Sequence, residues 1–204
     1  MGMVNEHYFS ASPESELKLR TIQTTIAGRA VELQTANGVF SPERIDTGTR
    51  VLLSSVPAPP PGGNLLDLGC GWGPIALTLA VESPHATVWA VDVNERSLDL
   101  VRRNAASMGI SNVNACLPAD VPASLEFMTI WSNPPIRVGK DELHALLRLW
   151  LPRLEVGTDA WLVVARNLGS DSLQRWMDGE FAESLSVTRA ALNKGYRVLR
   201  ARRR

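Results

Sequence analysis

Two short segments of the chain contain residue types and spacings that suit group-transfer chemistry. The sequence Asp-Leu-Gly-Cys-Gly-Trp-Gly occupies residues 67–73, and Ser-Asn-Pro-Pro-Ile occupies residues 132–136. Glycines let the backbone turn tightly and approach a ligand without a Cβ in the way. Two consecutive prolines fix the backbone and remove two hydrogen-bond donors. The first segment therefore predicts a nucleotide-type cofactor loop, and the second predicts a rigid corner that presents polar acceptors to an amino group.

The spacing of the glycines narrows the kind of cofactor. Gly69, Gly71 and Gly73 follow a Gly-x-Gly-x-Gly pattern, whereas the dinucleotide fingerprint is Gly-x-Gly-x-x-Gly. Asp67 before them would repel a pyrophosphate but suits a ligand with a cationic amino-acid end. These features disfavour a nicotinamide dehydrogenase. A tight strand-to-helix turn without a ligand is the alternative that this motif alone leaves open, and Trp72 is expected to be a loop or rim residue rather than a chemical one.

Two further acids are spaced to suit a nucleoside. Asp92 comes 25 residues after Asp67, the length of a turn, a helix and a strand. We expect its carboxylate at the tip of the neighbouring strand, where it can accept both ribose hydroxyls. Asp120 follows the next strand candidate and can reach an adenine amino group, with an ordinary loop acid as the alternative. The predicted cofactor-binding residues are Asp67, Gly69, Cys70, Gly71, Gly73, Asp92, Val93, Asn94, Asp120 and Asn133.

Asn133 and Pro134 are the predicted catalytic residues. An exocyclic amine of guanine or adenine is a poor nucleophile, because its lone pair is delocalised into the ring. The Asn133 side-chain oxygen and the Pro134 carbonyl can each accept one amine hydrogen, which favours a pyramidal nitrogen with its lone pair aimed outward. Good orientation of two reactants can account for ~7–11 kcal/mol of a barrier without a strong base. With the glycine loop, this predicts methyl transfer from S-adenosylmethionine to a planar nitrogen; a simple capped turn is the alternative.

Alternating strand and helix patterns position these segments. Beyond residue 63 the apolar runs predict parallel strands separated by helices, and Asn193-Lys194-Gly195 predicts a final hairpin. The predicted fold is α/β, a doubly wound, mostly parallel sheet with one antiparallel strand near the edge. The strand candidates are 65–68, 87–91, 113–117, 127–131, 161–165, 186–191 and 196–201, and the helix candidates begin near Pro74, Leu98, Glu142 and Asp171.

The N-terminal part predicts a small appendage made of a hairpin and a helix. Ala30 to Thr35 alternates as a strand, Asn37-Gly38 is a turn signal, and Val39-Phe40 is expected to begin the return strand. A short helix is expected from Thr49 to Val56. The Pro/Gly-rich residues 57–63 predict a linker, because prolines lack amide donors. The predicted division is an appendage at 1–56 that covers the site, a linker at 57–63 and a catalytic domain at 64–204.

Composition excludes several classes. The formal net charge of the 204 residues is zero, which argues against a bulk electrostatic grip on nucleic acid. Two cysteines without a metal-ligand spacing predict neither a disulfide framework nor a metal site. No long apolar run or secretory signal is present, so we expect a cytoplasmic protein without a membrane span. Five arginines crowd the C-terminus, as a solvated tail or a local basic surface: Arg197, Arg200, Arg202, Arg203 and Arg204.

Several motifs resemble those of a known family. They are His7-Tyr8-Phe9-Ser10 with Pro13; Gly38 to Ser41 with Asp46, Gly48 and Thr49; Leu66 to Gly73; Val91 to Asn94; Asn133 to Lys140; and Gly195 to Val198. Over residues 7 to 200 the chain resembles class I S-adenosylmethionine-dependent methyltransferases of the small methyltransferase type. It is most similar to the bacterial ribosomal RNA small-subunit methyltransferase C family, which modifies guanine N2.

The resemblance implies a seven-stranded Rossmann-like sheet with S-adenosylmethionine as cofactor. It implies a pocket lined by Asp67, Gly69, Gly71, Asp92, Asp120 and Asn133, with Phe40 and the 46–49 segment covering it. The expected partner is ribosomal RNA or the small ribosomal subunit, and we expect a monomer. Two positions depart from the family pattern: Met128 replaces an aspartate, and Arg166-Asn167-Leu168 replaces a more basic stretch.

The residue after Asn-Pro-Pro bears on the substrate. Relatives that modify adenine N6 or glutamine N5 usually carry an aromatic residue there, whereas this chain has Ile136. This favours guanine N2, with a protein glutamine-N5 or small-molecule methyltransferase as the alternative and a cofactor-binding module without turnover as a further one. The predicted substrate-binding residues are Phe40, Pro135, Ile136, Arg137 and Lys140.

Overall fold

The computed structural model describes residues 16–136 and 139–204. Within them the chain forms an N-terminal hairpin and a larger sheet with helices on both faces. The strands are β1 (Leu19–Ile26), β2 (Arg29–Ala36), β3 (Gly62–Leu68), β4 (His85–Val91), β5 (Val113–Cys116), β6 (Phe127–Ser132), β7 (Leu154–Ala165), β8 (Leu185–Asn193) and β9 (Tyr196–Arg203). The helices are α1 (Thr47–Ser55), α2 (Pro74–Glu82), α3 (Glu95–Ser107), α4 (Lys140–Trp150) and α5 (Ser170–Glu180).

The large sheet has seven strands in the order β5-β4-β3-β6-β7-β9-β8. The strands from β5 to β7 pair in parallel, and β9 pairs antiparallel with both β7 and β8. The predicted mostly parallel, doubly wound sheet with one antiparallel strand near the edge is confirmed. Because β3 and β6 are neighbours, their carboxyl ends bring the glycine loop and the Asn-Pro-Pro corner to the same edge of the sheet.

Local signals set where the helices begin. Gly73 adopts a left-handed conformation (φ 102°), and Pro74 follows as the first residue of α2. The side chain of Asn94 caps α3 by accepting from the amide of Arg96 at 3.0 Å. Asp46 caps α1 by accepting from Gly48 at 2.7 Å. Such caps satisfy amides that have no partner inside the helix.

Buried apolar residues on both faces hold the sheet and helices together. On one face, Leu147, Trp150 and Met177 pack against sheet residues such as Leu162. On the other face, Leu52, Leu79 and Val101 pack against residues such as Val88, Trp131 and Val198. A third cluster joins the hairpin to the outer sides of α2 and α3, through contacts of Ile26 and Leu33 with Leu77 and Leu100. The sheet edge is therefore supported from both faces.

The position of the N-terminal hairpin differs from the prediction. The partner of β2 is β1, which precedes it, and the turn between them is Ala27-Gly28, where both residues have positive φ. Val39-Phe40 does not form a return strand; Val39 is buried under the hairpin instead. The sequence did not predict β1 as a strand, because it is rich in polar threonines and glutamine.

The predicted linker is also shorter in the structure. Gly62 and Gly63 belong to β3 and pair with His85 and Ala86. A Cβ on Gly63 would lie 2.6 Å from Met128 Cγ, so a glycine there lets β6 pack closely against the start of the strand. The predicted division into appendage, linker and catalytic domain stays a prediction.

Candidate active site

The glycine loop leaves β3 and turns across the tip of β4. The amides of Gly69 and Cys70 donate to the Val91 carbonyl at 2.8 and 3.1 Å. Gly69 and Gly71 have φ values of 76° and 53°, a region that favours glycine. A Cβ on Gly71 would meet no atom within 4 Å. The loop therefore exposes its backbone to open space, as a close-fitting cofactor loop requires.

Asp92 lies beside this loop, as the spacing predicted. Its two carboxylate oxygens accept from the amides of Gly71 and Asn94, each at 2.9 Å. Burial raises the pKa of Asp92, and hydrogen bonds from these amides partly offset the shift. The side chain thus helps to fix the loop, and its remaining lone pairs stay available to a ligand.

Asn133 follows β6 and is held by two side chains from the N-terminal part. Its Nδ2 donates to Asp46 Oδ2 at 3.0 Å and to Thr49 Oγ1 at 3.1 Å. The same Asp46 oxygen also caps α1. A carboxylate can only accept hydrogen bonds, so the amide nitrogen of Asn133 must face Asp46. This contact fixes which end of the amide is left for a substrate.

The other end of the Asn133 amide is an acceptor that has no partner in the part of the chain that the structure describes. Among the described residues no donor bonds to its Oδ1. Sequence reasoning placed the 46–49 segment over the site by family resemblance, but it did not foresee that Asp46 and Thr49 orient Asn133. Two acceptors at the start of a helix, 87 and 84 residues before an asparagine, leave no local sequence signal.

The Pro134 carbonyl is less free to accept a substrate hydrogen than the sequence predicted. Its carbonyl accepts from the amide of Ile136 at 2.8 Å, so this acceptor is already engaged and has one lone pair left. The double proline directs the chain back on itself, which brings the Ile136 amide to that carbonyl. Asn133 Oδ1 is therefore the better-exposed acceptor of the pair predicted to be catalytic.

The two motifs meet at one cleft, as the sequence predicted. The hydroxyl of Ser132 donates to the Leu68 carbonyl at 2.6 Å, which ties the ends of β6 and β3 together. The cleft is open to solvent, and its cavity volume in this structure is about 30 Å³. It is lined by Phe40, Ser41, Asp46, Thr49, Gly69, Cys70, Gly71, Trp72, Pro74, Ile75 and Asn133.

Asp67 lies beneath the loop and is fully buried. One carboxylate oxygen accepts from the Ala76 amide at 2.8 Å, and the other, Oδ1, is buried and has no hydrogen-bond partner among residues 16–136 and 139–204. Burial raises the pKa of Asp67 to about 8, and the nearby charge of Asp92 contributes to the increase. The sequence predicted Asp67 in the wall of the cleft, but Asp67 is not among the residues that line it. It supports the glycine loop from below.

Several other predicted cofactor residues have structural contacts. Gly73 packs against α3, where a Cβ would lie 3.1 Å from Val101 Cγ2. Asn94 is buried, caps α3, and its Nδ2 donates to the Gly38 carbonyl at 2.7 Å. Trp72, expected to be a loop or rim residue, is a buried loop residue, and its Nε1 donates to the Ser41 carbonyl at 3.1 Å. Together these contacts bind the 38–41 segment to the loop.

The remaining predicted residues surround the cleft more loosely. Val93 and Asp120 are exposed beyond the ends of β4 and β5. Cys70 lines the cleft, and burial raises the pKa of its thiol, so it is not a ready nucleophile.

The substrate-binding predictions are placed as follows. Phe40 is 46% exposed at the cleft, whereas Ile136 packs partly against the core. Pro135 lies next to the glycine loop, its Cδ 4.0 Å from where a Gly69 Cβ would stand. Lys140 is exposed at the start of α4, and Arg137 lies outside the described residues.

Comparison with known proteins identifies the family. The model of the methyltransferase small domain matches residues 30–200. An uncharacterised Bacillus subtilis protein, YbxB, is 32% identical over 203 residues, which span 98% of this chain and 100% of that protein. This chain belongs to the methyltransferase small-domain family. It is a class I S-adenosylmethionine-dependent methyltransferase, as the sequence predicted.

This chain aligns with only part of the length of several other relatives. An Aeromonas hydrophila ribosomal RNA small subunit methyltransferase C is 36% identical over 118 residues, 57% of this chain and 33% of that protein. A Rhodopirellula baltica release factor glutamine methyltransferase is 34% identical over 155 residues, 68% of this chain and 52% of that protein. The structure of T. thermophilus 16S rRNA N2 methyltransferase (RsmC), solved with AdoMet and guanosine, has a TM-score of 0.80 at 24% identity. It aligns with 94% of this chain, which spans 52% of that one, and it confirms the fold.

The residues of the cleft fit S-adenosylmethionine. The glycine loop offers open space at Gly71, and beneath the loop the described residues leave Asp67 Oδ1 without a hydrogen-bond partner. Among the described residues no group of three or more His, Cys, Asp or Glu side chains is arranged to hold a metal ion. Within residues 16–136 and 139–204, no helix is long and apolar enough to cross a membrane.

Proposed function

We propose that this protein transfers a methyl group from S-adenosylmethionine to the exocyclic N2 amine of a guanine in small-subunit ribosomal RNA. The observation that carries the proposal is the oriented amide of Asn133. Asp46 and Thr49 hold its Nδ2, which leaves Oδ1 as an acceptor beside the glycine loop. An acceptor without a nearby strong base suits an aromatic amine, which needs alignment more than deprotonation.

Different residues of the chain would bind the cofactor and align the target amine. S-adenosylmethionine supplies, when bound, an electrophilic methyl group on a sulfonium. Gly69 and Gly71 give the cofactor close access to the backbone, and the Asp92 carboxylate has lone pairs for ribose hydroxyls. Asn133 Oδ1 accepts one hydrogen of the target amine, and the remaining lone pair of Pro134 is the candidate for the other. The displaced amine proton leaves to water, because the cleft is open to solvent.

Guanine is favoured over other planar amines by two observations. Ile136 packs partly against the core rather than offering an aromatic face to a flat acceptor. The RsmC structure, which aligns with 94% of this chain, was solved with guanosine. A release factor glutamine is the second candidate, because the Rhodopirellula baltica relative spans 68% of this chain. Both substrates present an amide-like nitrogen that Asn133 can align.

A methylation assay with tritiated S-adenosylmethionine tests the proposal. The purified protein is incubated with small ribosomal subunits, with their naked RNA and with a release factor. We expect label in RNA, and digestion followed by mass spectrometry should identify N2-methylguanosine. Label that appears only in the release factor would contradict the RNA proposal and support the second candidate. Asn133→Ala serves as the control for contaminating activity.

A further inference from the structure

The C-terminal arginines do not form a tail. Arg197, Arg200, Arg202 and Arg203 belong to β9, the strand next to the edge strand β8, and Arg204 follows it. Successive side chains of a strand point to opposite faces. Arg200 and Arg202 pair with Asp159 on one face, at 2.8 and 3.0 Å. Arg197 pairs with Asp171 near the other end of the strand. The two carboxylates therefore separate the arginines into two groups.

The group around Asp171 contains more positive charge than its carboxylate can balance. Arg197 is buried, and its guanidinium takes one carboxylate oxygen. Arg189, with 55% of its side chain exposed, donates to the same oxygen at 2.9 Å and to Gln174 Oε1 at 2.6 Å. The pKa of Asp171 is lowered, first by Arg197 and further by Arg189 and Arg166. A single carboxylate is thus bonded to two guanidinium groups, and the positive charge of Arg166 acts on it as well.

This group lies on the same edge of the sheet as the cleft. Arg166 follows the end of β7, and its amide donates to the Gly195 carbonyl at 2.9 Å, which joins it to the exposed turn at Lys194. Ser132 pairs with Leu162, and β7 continues for three residues beyond it. Arg166 therefore stands ~10 Å further out than Asn133, one strand away.

Tyr196, next to Arg197 on β9, points to the opposite face of the sheet and packs on the acceptor side of the cleft. It pairs with Ala165 at the end of β7, and a Cβ on Gly48 would lie 2.9 Å from its Cε1. Gly48 is the first-turn residue of α1 whose amide donates to Asp46. The strand end that carries Arg197 is thus fixed to α1 through Tyr196, whereas the arginine group itself lies on the other face of the sheet, beside α5.

We propose that Arg166, Arg189 and Lys194 form a contact surface for phosphates of the RNA strand that carries the target base. The inference rests on the proposed RNA substrate. Guanidinium groups keep their charge at all relevant pH values, and their planar fork matches phosphate oxygens. Gln174 and Asp171 hold Arg189 in place, so little side-chain freedom is lost on binding. In a chain with zero net charge, this local excess can position a strand next to the cleft.

Binding of a short RNA tests the surface without relying on turnover. The probe is a fluorescein-labelled single-stranded 12-nucleotide RNA containing guanine, followed by anisotropy from low to high KCl. We expect Arg166→Gln/Arg189→Gln to bind it at least tenfold more weakly at low salt. The slope of log K against log [KCl] should fall by ~1.4, because each phosphate contact on a single strand contributes ~0.7.

Arg103→Gln is the matched control. Arg103 is 46% exposed and pairs with a single aspartate, Asp99, at 2.7 Å, but it lies on α3. We expect it to keep the affinity and salt slope of the wild-type protein. Calorimetry with S-adenosylhomocysteine should give the same affinity for all variants, which shows that the fold and cleft are intact. If the double variant binds the RNA with the same affinity and salt slope as Arg103→Gln, the proposed surface is overturned.

The same measurements separate this inference from the proposed function. Loss of RNA binding in the arginine variants, in a protein that methylates no guanine, would support the surface and contradict the proposed reaction. Normal guanine methylation with an unchanged KM in the arginine variants would support the reaction and overturn the surface. A change confined to the KM for a release factor would assign the surface to a protein partner and likewise overturn it.

Discussion

The two sides of the cleft are built in different ways. On the glycine side, the bonds from Gly69 and Cys70 to Val91, and from Gly71 to Asp92, connect consecutive strands of one βαβ unit. On the acceptor side, Asn133 is oriented by Asp46 and Thr49, which lie 87 and 84 residues earlier. The glycine side is therefore a local structure, whereas the acceptor side depends on how the N-terminal part packs. Mutations on the first side should change cofactor affinity, and mutations on the second should change turnover.

Removing the acceptor should have the largest effect. We expect Asn133→Ala to lower kcat ~10²–10³-fold, the usual cost of losing one positioned electrostatic group in an active site. The affinity for S-adenosylhomocysteine should fall much less, because the glycine side is untouched. Single-turnover methylation and calorimetry measure the two quantities. Comparable losses in both would show that Asn133 serves mainly to bind the cofactor.

Releasing the acceptor should have the next largest effect. In Asp46→Ser the serine still caps α1 but is shorter and uncharged, so the Asn133 amide loses its fixed orientation. We expect kcat to fall ~10–100-fold through misalignment, with an unchanged melting temperature. Asp46→Ala, which also loses the cap, should be less stable by ~1 kcal/mol. Wild-type kcat in Asp46→Ser would remove the orienting role.

A methyl group on the glycine side should weaken cofactor binding. Gly71→Ala places a Cβ in the open space of the cleft, and we expect a loss of ~1.4 kcal/mol, or tenfold in affinity for S-adenosylhomocysteine. Gly109→Ala is the matched control, because Gly109 also has a positive φ and open space but lies after α3. The backbone strain is then similar in both variants. Equal cofactor affinities in the two would contradict the assigned role of the loop.

The buried carboxyl beneath the loop should make stability depend on pH. The pKa of Asp67 is about 8 in the folded protein against an ordinary 3.8, so between these values the folded state holds a proton that the unfolded state lacks. This stabilisation is complete below the lower value and is lost as the pH rises through the upper one. Relative to Asp67→Asn, the cofactor-free protein should lose up to ~1.4 kcal/mol between pH 6 and pH 7. Urea unfolding at both pH values measures it, and parallel curves would contradict it.

The sequence predicted the glycine side better than the acceptor side, for a physical reason. The glycine spacing, Pro74 and the distance to Asp92 are local constraints on one βαβ unit, and the structure places that unit as expected. The meeting of Asn133 with the loop followed from the parallel sheet alone. By contrast, the contacts of Asp46 and Thr49 with Asn133 depend on long-range packing of α1, which leaves no periodic pattern in the sequence.

The wrong predictions have the same origin. The return strand at Val39-Phe40 was inferred from a strong turn signal, but burial of Val39 and the bonds of Asn94 and Trp72 to this segment prevail over it. The strand β1 was not predicted because its sequence is largely polar, yet its pairing with β2 and the burial of Ile26 fix it in place. In both cases tertiary contacts from distant elements decide the conformation, and local composition does not report them.

A double-mutant cycle in single-turnover methylation tests the central claim most directly. If Asp46 acts only by orienting Asn133, Asp46→Ser should slow the wild-type protein ~10–100-fold but the Asn133→Ala protein less than about twofold. The same loss in both backgrounds would mean that Asp46 acts independently of Asn133. That result would contradict the account of an amide held by the N-terminal segment as the acceptor for the target amine.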